Sequence, residues 1–167
     1  IAAAFPSSGV VFVSGHFGNW ELLLRVASRL GVNVAALAGD QANVRVDRAV
    51  KAIRAKGGVT TMSARKEVRG AIRFLRSGGW MSTLMDQDAR RKGVFLEFLG
   101  TPASTHVGIV RLALHSGAPL IPVALVEAGE SHRLVVGDAW FPRPGAGEDE
   151  SAVEGASVFT RFLEREV

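Results

Sequence analysis

The chain has 167 residues, 47% of them hydrophobic, enough for one folded domain with a real core and too apolar for disorder. It has no cysteine, which excludes disulfides, thiolate metal sites and cysteine nucleophiles and fits a reducing compartment. The net charge of +4 is unevenly placed: residues 45–92 carry 13 Lys/Arg against 4 Asp/Glu, and the remainder is net acidic. Such a basic middle is either an anion-binding surface or a solvated helix face.

In chain order, "GVVFVSG" (9–15) reads as a short buried strand. A helix follows over 18–30, with Leu22, Leu23, Val26, Ala27 and Leu30 at helical spacing and Gly31 as its stop. "VNVAALA" (32–38) is a second strand. Residues 44–56 form a basic amphipathic helix, with Val46, Ala49, Val50 and Ile53 on one side and Arg45, Arg48, Lys51 and Arg54 around the other. A strand within 57–62, a basic helix over 65–76 and a strand at 80–85 come next, then a loop and short strand over 89–100. "STHVGIVRLALHSG" (104–117) opens with Ser/Thr and closes on Gly117, the pattern of a capped helix. "APLIPVALVEAG" is a strand and "HRLVVGDAW" its antiparallel neighbour. A loop over 142–150 leads into a last helix at 151–166.

Strands alternating with helices predict a single α/β domain over residues 1–167, with a mostly parallel central sheet flanked by helices. No apolar run reaches the roughly 20 residues that span a bilayer. The chain begins without a methionine and ends inside a helix, and reads as a fragment cut at both ends.

Ligands of such sheets bind beyond the carboxyl ends of the strands, and two polar clusters lie at such ends. The first is His16 to Glu21, at a strand-to-helix junction, with Gly15 and Gly18 flanking the histidine. A histidine whose other ring nitrogen is held by a carboxylate is a general base, and the spacing lets Glu21 be that carboxylate. The same residues also suit a plain helix start with a surface histidine. With no nucleophilic residue of its own, the pair would deprotonate a substrate hydroxyl, amine or water. The second cluster is Asp86-Gln87-Asp88, followed by Arg90, Arg91 and Lys92. Its carboxylates suit orienting a substrate, holding an arginine or forming a polar turn, and its cations suit phosphate. His106, His115 and His132 show no metal-ligand spacing. There is no P-loop, no dinucleotide fingerprint and no G-x-S-x-G elbow, and the scarcity of aromatics among the cations argues against nucleic acid.

"HFGNWE" (16–21), "DQD" (86–88), "GVFLEFLGTPAST" (93–105) and "RLALHSGAPLIPV" (111–123) together resemble the bacterial lipid A biosynthesis acyltransferases, the lauroyl and myristoyl transferases of the wider glycerolipid acyltransferase group. The resemblance covers nearly the whole chain. It implies transfer of a fatty acyl chain from a thioester, usually on an acyl carrier protein and in some relatives on coenzyme A, to a hydroxyl of an anionic glycolipid. It implies no cofactor, and a place on the cytoplasmic face of the bacterial inner membrane, against the membrane surface. On this resemblance His16 is the catalytic base and Glu21 its carboxylate partner. Asp86, Gln87 and Asp88 match a motif that shapes the active site, and Arg54 would meet phosphate or the thioester oxygen. Asn19 and the three cations Arg90, Arg91 and Lys92 complete the expected substrate-binding set. The chain departs from the family pattern at Gly39-Asp40-Gln41-Ala42, where basic residues are usual, and at Asn43-Val44, where Asn-Pro is usual. The family's N-terminal membrane helix and C-terminal segment have no counterpart in these residues. An acyltransferase that uses another lipid acceptor, a non-catalytic module docking on a membrane or carrier protein through 45–92, and a hydrolase that activates water are the competing expectations.

Overall fold

The computed structural model describes residues 9–143 and 145–167. Six strands form one sheet: β1 (Val10–Ser14), β2 (Val34–Ala38), β3 (Val59–Ser63), β4 (Trp80–Leu84), β7 (Leu120–Ala128) and β8 (Ser131–Val136), in the order β3-β2-β4-β1-β7-β8. All neighbours are parallel except β7 and β8, which pair antiparallel, as the sequence predicts. The remaining two strands, β5 (Val94–Phe98) and β6 (Thr101–Thr105), form a separate antiparallel hairpin.

Strand alternation divides the core between the two faces of the sheet. Val10, Val34, Ala36 and Trp80 face α1 (Trp20–Arg29), which buries Leu23 and Leu24 against them. Val11, Val13, Ala35, Leu37 and Met81 face the opposite way. There they meet Ala71 and Leu75 of α3 (Val68–Arg76), Val110 of α4 (Gly108–Ser116) and Phe159 of α5 (Glu148–Glu166). The α/β domain is therefore layered, with apolar packing on both faces, which is why β1 and β2 read as nearly continuous apolar runs.

Helix α2 (Val44–Lys56) has the predicted bounds, and Asn43 caps it by accepting from the Arg45 and Val46 amides. Its orientation differs from the expected one. Val46 and Ile53 are exposed, and the buried residue of the helix is Arg54. The helix packs on the edge strand β3, and Arg54 is drawn inward by a carboxylate described below.

Two further differences have local causes. Residues 104–107 do not begin a helix. Ser104 and Thr105 belong to β6, and the Ser104 hydroxyl donates to the Arg90 carbonyl at 2.6 Å rather than capping a helix. Helix α4 begins at Gly108 with no side-chain cap, and ends as expected on Gly117 at φ +74°. Helix α5 starts at Glu148 rather than 151, because Glu148, Asp149 and Glu150 sit in its first turn, where the helix dipole favours negative charge.

The β5–β6 turn is Leu99-Gly100, with φ +48° and +75°. Two positive φ values are the requirement of a type I′ hairpin turn. Leucine bears that conformation at a cost of about 1–2 kcal/mol.

Candidate functional site

β1 and β4 are parallel neighbours in register, with Ser14 opposite Leu84. The ladder extends one step further, as the Met85 amide donates to the Ser14 carbonyl at 3.0 Å. The loops after the two strands therefore leave the sheet side by side, and the His16 and Asp86 clusters share one edge as expected.

The loop after β1 is shaped by its glycines. A Cβ on Gly15 would lie 2.8 Å from the Phe17 ring and 3.0 Å from Asp86 Oδ2. Gly18 has φ +61°, and a Cβ there would lie 2.3 Å from the Leu125 carbonyl oxygen. The Asn19 amide donates to that same carbonyl at 2.7 Å, tying the loop to β7. Asn19 then caps α1, its Oδ1 accepting from the Leu22 amide at 3.0 Å.

His16 is held by Asp86, and the expected His16–Glu21 pair does not form. Asp86 Oδ1 lies 2.7 Å from His16 Nδ1, and Asp86 Oδ2 accepts from the His16 backbone amide at 2.5 Å. One carboxylate thus fixes both the ring and the backbone of the histidine. The His16 side chain is 43% exposed and that of Asp86 19%, so the ring stays reachable while its support is sheltered. The Trp20 ring meets the imidazole edge-on, with centroids 5.9 Å apart.

Glu21 turns instead toward α2. Its carboxylate accepts from Arg54 Nε at 3.1 and 3.2 Å and makes a second close contact with Nη2. The Arg54 guanidinium also lies 5.8 Å from the centre of the Trp20 ring. The reason is energetic. Arg54 is only 9% exposed, and a cation so sheltered needs a counter-charge. His16 needs no second carboxylate, because Asp86 already reaches it from the neighbouring strand. Arg54, expected to meet phosphate or the thioester oxygen, has Nε and Nη2 engaged by Glu21.

The other expected residues separate into two groups. Gln87, Arg90 and Arg91 join Asp86 in lining a cavity of about 560 Å³ beside the site, whose apolar walls include Met85, Phe95, Phe98 and Phe159. That size falls among ordinary small-molecule sites. Asp88 lines it too, but its Oδ1 is engaged by the Arg90 amide at 2.7 Å. Lys92 ends the short 3-10 turn Arg90–Lys92 and is exposed. A second cavity, of about 430 Å³, lies between α1 and α2 among Leu22, Leu24, Val50 and Ile53, and includes Glu21 and Arg54. Among the described residues no group of three or more His, Asp or Glu side chains is placed to hold a metal ion, and His115 lies 4.0 Å from Glu148, away from the site.

At the departure from the family pattern, Asp40 accepts from the Ser63 hydroxyl at 3.1 Å and pairs with Lys66 at 3.1 Å and Lys51 at 3.5 Å. The hydrogen bond from Lys66 leads the effects that hold the Asp40 carboxyl below its ordinary value, and that from Lys51 does the same for Asp47. This loop therefore occupies two of the cations on the basic segment.

Sequence reasoning missed the contact of Asp86 with His16 and the aromatic cavity wall. The signal for the first was an acidic residue at the end of a strand parallel to β1. The signal for the second was Phe159 and Leu163 at i and i+4 on the last helix, facing the Phe-rich strand.

The geometry is that of a histidine held by a carboxylate at a strand end, beside a cavity with apolar walls. Among the described residues no helix is long and apolar enough to cross a membrane. Comparison with curated proteins finds no match for the chain. The family model described as bacterial lipid A biosynthesis acyltransferase matches residues 3–137, which include both clusters, and the chain belongs to that acyltransferase family.

Proposed function

We propose that the chain transfers a fatty acyl group from a thioester, on an acyl carrier protein or coenzyme A, to a hydroxyl of a phosphorylated glycolipid at the cytoplasmic face of the inner membrane, with His16 as general base and Asp86 as the residue that orients it. The observation that carries this reading is the 2.7 Å contact between His16 Nδ1 and Asp86, at the edge of a cavity with apolar walls and arginines in its lining.

With Nδ1–H donating to Asp86, His16 Nε2 carries the lone pair and is the basic atom. The acceptor hydroxyl gives its proton to Nε2 as its oxygen bonds to the thioester carbonyl carbon. The Asp86 carboxylate stabilises the imidazolium that results. The C–S bond then breaks, and the proton passes from Nε2 to the departing sulfur, leaving an ester and a free thiol. The apolar wall of Phe95, Phe98 and Phe159 suits the hydrocarbon chain, and Arg90 and Arg91 suit phosphate on either substrate.

The test uses the full-length protein, radiolabelled acyl carrier protein thioesters and a phosphorylated glucosamine lipid acceptor, beside the His16→Ala form. Label should move to the acceptor, and the variant should lose on the order of 10²–10⁴ in turnover, the usual contribution of a positioned base. Label left on the donor across chain lengths would sink this donor–acceptor pair. Free fatty acid without acceptor would support a hydrolase.

A further inference from the structure

We infer that the β5–β6 hairpin is a membrane-docking tip that seats on an anionic lipid surface and brings the His16 edge of the sheet to face the bilayer. This deepens the reading above and rests on it for the site that docking would serve.

Among the described residues, the non-glycine positions with positive φ are Arg90 at +54° and Leu99 at +48°. One enters the hairpin segment and the other forms its turn. Asparagine at position 99 would adopt that conformation readily, and Asn-Gly is the preferred pair for such a turn. Leucine takes the strain while most of its surface, 62%, stays exposed. Phe95, on the same hairpin, is 70% exposed. The tip is nevertheless held firmly: the Leu99 amide donates to Glu164 Oε1 of α5 at 2.8 Å. A strained, solvent-facing leucine on a tethered turn is unfavourable for the isolated fold, and is accounted for if its side chain enters an apolar phase.

Charge selects the occupant. Arg90, Arg91 and Lys92 lead directly into β5, make no ion pair among the described residues and outnumber Glu97, the acidic residue of the hairpin. Cations beside exposed aromatic and aliphatic side chains match an anionic bilayer surface. The same sheet edge continues the pattern. Helices α2 and α3 begin there, directly after β2 and β3, and present exposed Val44 and Val68 beside Arg45, Arg48 and Arg69. Phe95 also lines the 560 Å³ cavity, so a docked hairpin would open that cavity toward lipid.

The test uses full-length protein and vesicles rich in phosphatidylglycerol or made of phosphatidylcholine alone. The cysteine-free sequence allows a single environment-sensitive label at Leu99→Cys, with Ala55→Cys, at the far end of α2, as control. The label at 99 should brighten and shift to the blue on phosphatidylglycerol vesicles, and the control should not. Leu99→Asn should weaken vesicle binding about tenfold, the worth of burying one leucine side chain, while leaving the thermal midpoint equal or higher. It should also spare transfer to a water-soluble acceptor. Unchanged vesicle binding by Leu99→Asn, a silent label at 99, or weakened binding to acyl carrier protein in place of vesicles would each overturn the proposal. Vesicle binding is read without turnover, so a failure of acyl transfer would leave a docking result standing.

Discussion

His16 and Asp86 are 70 residues apart in sequence and 2.7 Å apart in space, because β1 and β4 are parallel neighbours that end at the same level. The contact depends on the sheet, not on the local motif. Asp86 accepts from the His16 backbone as well as meeting its ring, so it holds both the loop and the imidazole. Asp86→Asn should therefore lower turnover by on the order of 10²-fold or more, with a smaller change in KM. Asp86→Glu should recover little, since a longer side chain cannot reach both atoms from the same strand position. Steady-state kinetics beside circular dichroism would check this; a wild-type turnover in Asp86→Asn would remove Asp86 from the mechanism.

Glu21 makes the opposite prediction. It neutralises the sheltered Arg54 and leaves His16 alone, so its first effect is on stability. Glu21→Gln should cost about 1–2 kcal/mol, below the value for a fully buried pair because the Glu21 side chain is 42% exposed. A double-mutant cycle with Arg54→Ala should show most of that loss as coupling between the two residues. Denaturant unfolding measures it. Additive losses would mean that the pair is incidental and that Glu21 acts elsewhere.

How far the chain could be read in advance follows from how local each signal is. The bounds of α2 were legible because Asn43 caps it and Gly57 ends it, both within the stretch itself. His16 was legible as a candidate because it stands between two glycines at the end of an apolar run. Its partner was not, because Glu21 is close in sequence whereas Asp86 is close only after β1 and β4 pair. The strand Thr101–Thr105 was hidden for a related reason. Ser104 and Thr105 have the residue types of a helix cap, and only the hairpin with β5 gives the Ser104 hydroxyl another acceptor. The burial of Arg54 breaks the amphipathic pattern of α2, and no periodicity reports a counter-charge on another helix.

A pH prediction comes from Glu154. The Trp140 indole donates to its carboxylate at 3.1 Å, as does Arg143 at 3.1 Å, and the indole hydrogen bond leads in holding the carboxyl below its ordinary value of 4.5. A carboxylate with a lowered folded value stabilises the fold above its unfolded value, and that contribution is lost as pH falls through the lowered one. Glu154→Gln should thus lower the thermal midpoint at neutral pH, and the gap from wild type should close as pH drops below 4.5. A gap that persists unchanged into acid would assign the loss to packing around Trp140 instead.

Gly18 sits where the loop after β1 is tied to β7 and offers the sharpest test of the loop's geometry. It adopts φ +61°, and an added Cβ would stand 2.3 Å from the Leu125 carbonyl, the acceptor of the Asn19 amide. A Gly18→Ala substitution meets two penalties at once, a left-handed backbone and a clash with main chain that cannot rotate away. The expected loss of stability is about 1–3 kcal/mol. Turnover should fall further than the folded fraction does. Relief of the clash must move residues 15–19, and a shift of about 1 Å in a reacting group costs on the order of 10²-fold in rate. Urea midpoints and acyl-transfer rates on the same preparations separate the two effects. If activity instead tracks the folded fraction alone, the loop tolerates displacement, and His16 is positioned by Asp86 without help from the β7 anchor.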